Sequence, residues 1–305
     1  MAITARRSTR FGSLVAVSLI ALAAMTVPGT ADARSGHVHA MPGEKPLSSA
    51  QMDRAMHGMT SHERDKFSKR WADPDFLPTS YARSYYRLDR QRDGKTRATL
   101  VGTFRVDSSG TVDDTAALAG SSPGLVTATG TGSGGRYDLY ISIASGRRTC
   151  SGCYEFYIDN YADWRGPSGN GINLAEDSYG TSWAGDMYLY QDSKAGEYDR
   201  AADGRIYALD IYRSDTTPNE GVGWSFHEWK RLCGQCVGFA MNWADGTAII
   251  RETTWKNRTD NVANKYLHST STGESFSLSF LNATISYTPP SGNAWTAAAY
   301  TTLAH

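Results

Sequence analysis

Neither sign of charge dominates this chain: 31 Lys and Arg face 31 Asp and Glu. That balance removes the electrostatic pull toward nucleic acid or anionic membranes, so neither partner is expected. Beyond the N-terminus, no stretch reaches the roughly 18 uninterrupted apolar residues of a membrane helix, so no membrane span is expected. Several chemical motifs are also missing. His227-Glu228 is not part of H-E-x-x-H, and adjacent strand residues face opposite sides, so the two cannot share a metal or a proton. Asp199-Arg200-Ala201-Ala202-Asp203-Gly204 lacks the spacing of a calcium loop. Thr131-Gly132-Ser133-Gly134-Gly135 precedes a strand pattern and not a helix, so it cradles no phosphate.

Arg6, Arg7 and Arg10 precede an apolar run over residues 11–27, which Pro28 ends before Ala31-Asp32-Ala33. This is the layout of a bacterial-type secretory signal peptide, expected over residues 1–33 with cleavage after Ala33. The mature chain then keeps 28 basic and 30 acidic residues and is expected outside the cell. At about 270 residues it can bury a proper core without many covalent staples.

Residues 34–46 are polar and expected to be flexible. Ser48 with Gln51 forms a capping box, Leu47 and Met52 a hydrophobic staple, and Thr60 with Glu63 a second capping box, with Gly58 as the intervening stop. These signals predict a helical hairpin within residues 47–78. His37, His39, His57 and His62 cluster here with Met41, Met52, Met56 and Met59. Copper would suit those ligand types, but Met52, Met56 and Met59 at helical spacing read first as one face of a helix against a core.

Further along, the period changes to two. Leu100, Gly102, Phe104 and Val106 alternate with Thr99, Val101, Thr103 and Arg105, and Leu139, Ile141 and Ile143 with Asp138, Tyr140 and Ser142. Similar runs occupy 187–191, 205–212, 223–229, 275–281 and 283–287. Asp93-Gly94, Asp203-Gly204 and Asp245-Gly246 read as tight hairpin turns, since glycine accepts positive φ. About ten strands without intervening helices predict an antiparallel β-sandwich or jelly-roll-like domain over residues 79–305.

The four cysteines sit in an internal repeat. Arg147-Arg148-Thr149-Cys150-Ser151-Gly152-Cys153-Tyr154-Glu155-Phe156 closes on Asn160-Tyr161-Ala162-Asp163. Lys230-Arg231-Leu232-Cys233-Gly234-Gln235-Cys236-Val237-Gly238-Phe239 closes on Asn242-Trp243-Ala244-Asp245. The phase puts Tyr154, Phe156 and Ile158 on one face of the first copy, and Val237, Phe239, Met241 and Trp243 on one face of the second. Phe156 and Phe239 are expected in the core, and Asp163 and Asp245 at turns after the strands. If the two corners meet, Cys150, Cys153, Cys233 and Cys236 staple them as disulfides, within or across the pairs. The alternative is one structural Zn²⁺ held by four thiolates. Otherwise no cofactor is expected.

Gly234-Gln235-Cys236-Val237-Gly238-Phe239-Ala240 resembles the nucleophile segment of transglutaminases, and is similar to that of papain-like proteases. The resemblance implies a thiol enzyme with Cys236 as nucleophile and His268 as its partner. It spans seven residues, lacks the aromatic after the cysteine, and offers no Asp after His268 to orient the imidazole.

Two function classes follow. In the first, a secreted, non-catalytic module binds cell-wall or environmental polysaccharide, with outward Tyr140, Tyr188 and Tyr190 and loop residues Trp164 and Trp183 as a stacking platform. In the second, a secreted enzyme uses Cys236, or a carboxylate pair drawn from Asp138, Glu155, Asp159, Glu176, Asp177, Asp186 and Asp192 for glycan hydrolysis.

Overall fold

The computed structural model describes residues 38–90, 96–107, 109–113, 136–165, 176–184, 186–199, 206–227, 229–232, 237–269, 278–287 and 294–305. The expected signal peptide, Cys233, Cys236, Asp93-Gly94 and Asp203-Gly204 lie outside them.

Two short helices open the described chain, α1 (Ser49–His57) and α2 (Ser61–Trp71). Both ends of the Ser48–Gln51 capping box are made, and Gly58 caps α1. The second box is half made. Thr60 Oγ1 accepts from the Glu63 amide at 3.2 Å, but the Glu63 side chain turns away from the cap and into the sheet. Leu47, Ala55, Met59 and Phe67 are buried against Tyr81, Phe104, Val106 and Ala144, with Met52 and Met56 packed around them. The methionine stripe is therefore core.

The rest is strand. One nine-stranded sheet runs in the order β3 (Gly110–Asp113), β2 (Thr96–Asp107), β1 (Phe76–Arg90), β4 (Arg136–Cys150), β5 (Cys153–Arg165), β12 (Val237–Glu252), β7 (Tyr188–Asp199) and β8 (Ile206–Ala208), with β11 (Trp229–Leu232) also paired to β12. A five-stranded sheet runs β16 (Ala294–Ala304), β13 (Thr259–Ser269), β6 (Glu176–Trp183), β10 (Gly221–His227) and β9 (Tyr212–Thr217). A small hairpin joins β14 (Leu278–Leu281) to β15 (Thr284–Tyr287). The described pairings are antiparallel. The inner faces of the two large sheets form one core in which Ile141, Ile143, Phe156, Ile158 and Ile250 meet Tyr179, Trp224, Phe226, Tyr266 and Trp295. The protein is a mainly antiparallel β-sandwich with two helices near its N-terminus.

Among the described residues sixteen strands stand where about ten were expected. Among the strands without a period-two run in the sequence are β1, β13 and β16, whose alternation is diluted by Arg, Asp, Asn, Thr and Ala. One expected turn is not a turn. Asp245-Gly246 lies inside β12, opposite Tyr161 and Asn160 of β5. A Cβ at Gly246 would sit 2.8 Å from the Trp224 ring, so glycine is there to admit an indole.

Candidate functional site

The site lies on the outer face of the nine-stranded sheet. Strand alternation turns Leu139, Ile141, Ile143, Phe156 and Ile158 inward, and therefore Tyr140, Ser142, Asp159, Tyr161 and Asp163 outward. β12 contributes a β-bulge. Its register with β7 shifts between Met241 and Trp243, leaving Asn242 as the extra residue. Met241 is in the core, and across the bulge Trp243, Asp245 and Thr247 face outward. This corrects two expectations: Trp243 does not share a face with Met241, and Asp163 and Asp245 are mid-strand residues, not turn residues.

The two repeat copies thus lie side by side and antiparallel. Ala162 faces Ala244, Tyr161 faces Asp245, and Trp243 faces Asp163. The repeat places one aromatic and one carboxylate on each strand, each aromatic opposite the carboxylate of the other copy.

Helix α2 lies over this face. The Glu63 carboxylate is fully buried and accepts hydrogen bonds from Tyr81 at 3.1 Å and from Tyr140 and Ser142. Burial pushes the Glu63 carboxyl above its ordinary value, against the pull of the Ser142, Tyr140 and Tyr81 hydroxyls. Lys66 bridges Asp159 at 3.6 Å and Asp245 at 3.4 Å, Arg70 reaches Asp159 at 3.2 Å, and Thr247 donates to Asp159 at 2.5 Å. The helix is seated on polar and charged groups.

At the N-terminal end of α2 this seam opens into a cleft of about 280 Å³. Its sheet wall is Tyr161, Asp163, Trp243, Asn242 and Glu197, and its helix wall is Thr60, Ser61, His62 and Asp65. Asp163, Trp243 and Glu197 are consecutive partners across β5, β12 and β7. His62 stacks on Trp243 with ring centroids 3.5 Å apart and lies 4.0 Å from Asp245. Burial holds the His62 imidazole below its ordinary value, partly offset by Asp245.

The expected stacking residues divide. Tyr140 faces outward from the sheet but is fully buried, because α2 covers it. Trp164 and Trp183 are strand residues and not loop residues. Trp164 is buried between the sheets and donates to the Tyr266 hydroxyl at 3.2 Å, and Trp183 is buried and donates to the Met187 carbonyl at 3.1 Å. None of these three can stack on a ligand. Tyr188 and Tyr190 are 42% and 52% exposed. Tyr188 pairs with Arg251, and the Arg251 guanidinium sits over the Tyr190 ring.

Of the two cysteine corners, the first lies within the described residues. Cys150 and Cys153 face each other across the β4–β5 turn and are disulfide-bonded to one another. β5 starts nine residues before Ala162, and β12 starts seven before Ala244. On antiparallel strands that carries the two starts apart by roughly 50 Å at about 3.3 Å per residue. With Cys150 and Cys153 bonded to one another, neither thiol is left for a disulfide across the corners or for a shared four-thiolate zinc; Cys233 and Cys236 lie outside the described residues.

His268 is fully buried, 3.1 Å from Asp177 and stacked on Trp295, so it faces no open thiol site. The expected carboxylates are scattered. Asp159 is held under α2, Asp177 lies beside His268, Glu155 pairs with Arg251, and Asp192 with Arg213. The carboxylates that share the cleft are Asp163, Glu197 and Asp65, of which only Asp163 stood out in the sequence, through the repeat. Glu197 and Asp65 carry no such signal. Among the described residues, no group of three or more His, Cys, Asp and Glu is arranged to hold a metal.

No protein-family model matches the chain, and no curated protein matches it. Among solved structures, the delta-toxin of Clostridium perfringens is similar over 75% of this chain and 94% of its own, at 6% identity and a TM-score of 0.31. The C-terminal domain of the antigen I/II-family protein AspA of Streptococcus pyogenes is similar over 66% and 57%, at 11% identity and 0.26. The C-terminal domain of the AgI/II polypeptide BspA of Streptococcus agalactiae is similar over 81% and 88%, at 10% identity and 0.27. Likenesses this distant bear on neither ligand nor chemistry.

Proposed function

We propose that this chain is an exported, non-catalytic β-sandwich module that binds cell-wall or environmental polysaccharide on the outer face of its nine-stranded sheet. The observation that carries the reading is the cleft beside α2. It joins Trp243 to the hydroxyl, amide and carboxylate groups of Thr60, Ser61, Asn242 and Glu197. Such a mixture suits a hydroxyl-rich ligand. From Glu197 the same face of β7 continues through exposed Ala195, Ser193 and Gln191 to Tyr188, a run of roughly 25–30 Å. Tyr188 and Tyr190 then offer the stacking surface at its far end.

Retention of the mature protein on insoluble polysaccharide, with no soluble product, is the expected result, and Asn242→Ala with Glu197→Ala should release it. Loss of retention without loss of melting temperature assigns the cleft, whereas unaltered retention rules it out. N-terminal sequencing of protein recovered from culture medium should begin at Arg34.

A second reading rests on one specific observation. Asp163 and Glu197 lie one strand to either side of Trp243, so their backbones are roughly 10 Å apart. Inverting glycoside hydrolysis uses carboxyl groups about 6.5–9.5 Å apart. Release of reducing ends from a bound glycan would replace the binding module with a hydrolase.

For the second cysteine pair we propose the same pairing as the first. Leu232 and Val237 are strand partners, as Thr149 and Tyr154 are on either side of the first pair, which supports the same pairing for the second. Intact-mass analysis after alkylation under native conditions should find no free thiol. A single fast-alkylating Cys236 would instead point to thiol chemistry.

A further inference from the structure

We infer, on the reading of the cleft as a saccharide site, that His62 is a displaceable cover of the Trp243 indole, and that a sugar ring enters by taking the place of the imidazole.

Trp243 lines the cleft and faces outward from β12, yet it is only 8% exposed. One face of its indole is taken by His62, with ring centroids 3.5 Å apart and planes 23° apart. That is the spacing of carbon atoms in contact, so the imidazole fills the layer in which the C–H face of a pyranose would stack. His62 is held there lightly. Its side chain is 40% exposed, and the Asp245 carboxylate stands 4.0 Å away, beyond hydrogen-bond reach. The same carboxylate is engaged by Lys66 at 3.4 Å, and burial favours the uncharged imidazole, so the ring contact and not a close ion pair keeps His62 in place. On the first turn of α2, two χ1 wells are open to a long side chain, so the ring can swing clear while the helix stays seated. At about 280 Å³ the cleft lies at the small end of ligand sites, which run to roughly 300–1,000 Å³. Vacating the imidazole enlarges it beside the indole, where Thr60, Ser61, Asn242 and Glu197 supply partners for hydroxyl groups.

The test compares the full mature chain with His62→Ala and His62→Phe. Two readouts are taken: calorimetric titration with a cello-pentamer and an N-acetylglucosamine pentamer, and oxidation of Trp243 by hydroxyl radicals, located by mass spectrometry. His62→Ala is expected to bind whichever oligomer the wild type binds about three- to tenfold tighter, because the ligand no longer displaces an aromatic pair. His62→Phe should bind it more weakly than wild type, since an apolar ring is harder to move into water. Trp243 should be oxidised faster in His62→Ala than in the other two. Weaker or equal binding by His62→Ala would overturn the cover and leave the saccharide site standing. Unchanged oxidation of Trp243 would overturn the cover whatever the oligomers do. Faster oxidation in a protein that binds neither oligomer in any of the three forms would instead overturn the saccharide reading, and entry of a sugar with it.

Discussion

The two faces of the nine-stranded sheet are made by the same strands and stabilised by opposite means. Inward, β4, β5 and β12 present Leu139, Ile141, Ile143, Phe156, Ile158 and Ile250 to a second sheet rich in aromatics. Outward, one residue away in each case, they present Tyr140, Ser142, Asp159, Tyr161 and Asp245 to a short helix. The inner contact is non-directional and grows with apolar area. The outer contact is directional: Glu63 with its three hydroxyl donors, and Lys66 and Arg70 with their carboxylates, fix where α2 can sit. Polar groups held in place by one another also leave a cleft at the end of the helix, which a close-packed apolar face would have filled.

Each face can be weakened by a single substitution. Phe156→Ala should have the largest effect, costing about 3–5 kcal/mol in chemical denaturation, since a fully buried ring is lost from a core that cannot close around the space. A loss under 1 kcal/mol would show that the inner face is not the main store of stability. Glu63→Ala is expected to cost less, about 2–3 kcal/mol, by leaving the Tyr81, Tyr140 and Ser142 hydroxyls without their acceptor. If it equals Phe156→Ala, the two faces contribute alike.

Glu63 also gives the outer face a pH signature. Its carboxyl is raised in the folded protein, so its contribution is fully present below the unfolded value and is lost as pH rises through the folded one. Relative to Glu63→Gln, the wild type should therefore lose stability from acid toward neutral pH, by no more than about 1.4 kcal/mol per unit. Parallel melting curves for the two proteins across that window would remove Glu63 as a titrating group.

Cys150→Ser is expected to cost about 2 kcal/mol, because the bond closes only a four-residue loop. That sharpens the contrast, since a covalent link at a turn counts for less than one core ring. Tyr190→Ala should be smallest, within about 0.5 kcal/mol of wild type in stability, its effect appearing in polysaccharide retention.

Much of the fold was legible along the chain. Capping residues marked both helices, and period-two alternation assigned Ile141 and Phe156 to the core. The repeat was also real, as two hairpins of one sheet. The site was far less legible. Tyr140 alternates outward as read, but nothing local announces the helix that buries it. Trp243 follows Met241 by two residues, and only the bulge at Asn242 turns them to opposite faces. Asp245-Gly246 has the composition of a tight turn, yet its glycine makes room for a tryptophan on another strand.

What the sequence determined by itself was local: which segments are helix or strand, which side chains alternate, where helices are capped, and that two hairpins are built alike. These depend on residues a few positions apart. Only the tertiary structure decided that the repeat strands lie antiparallel, that a helix covers the polar face, and that Asp65, Asp163 and Glu197 meet in one cleft. Those outcomes depend on strand register and on contacts between residues as far apart in sequence as Lys66 and Asp245. Periodicity constrains neither, because it says which face a residue occupies and not what lies against it.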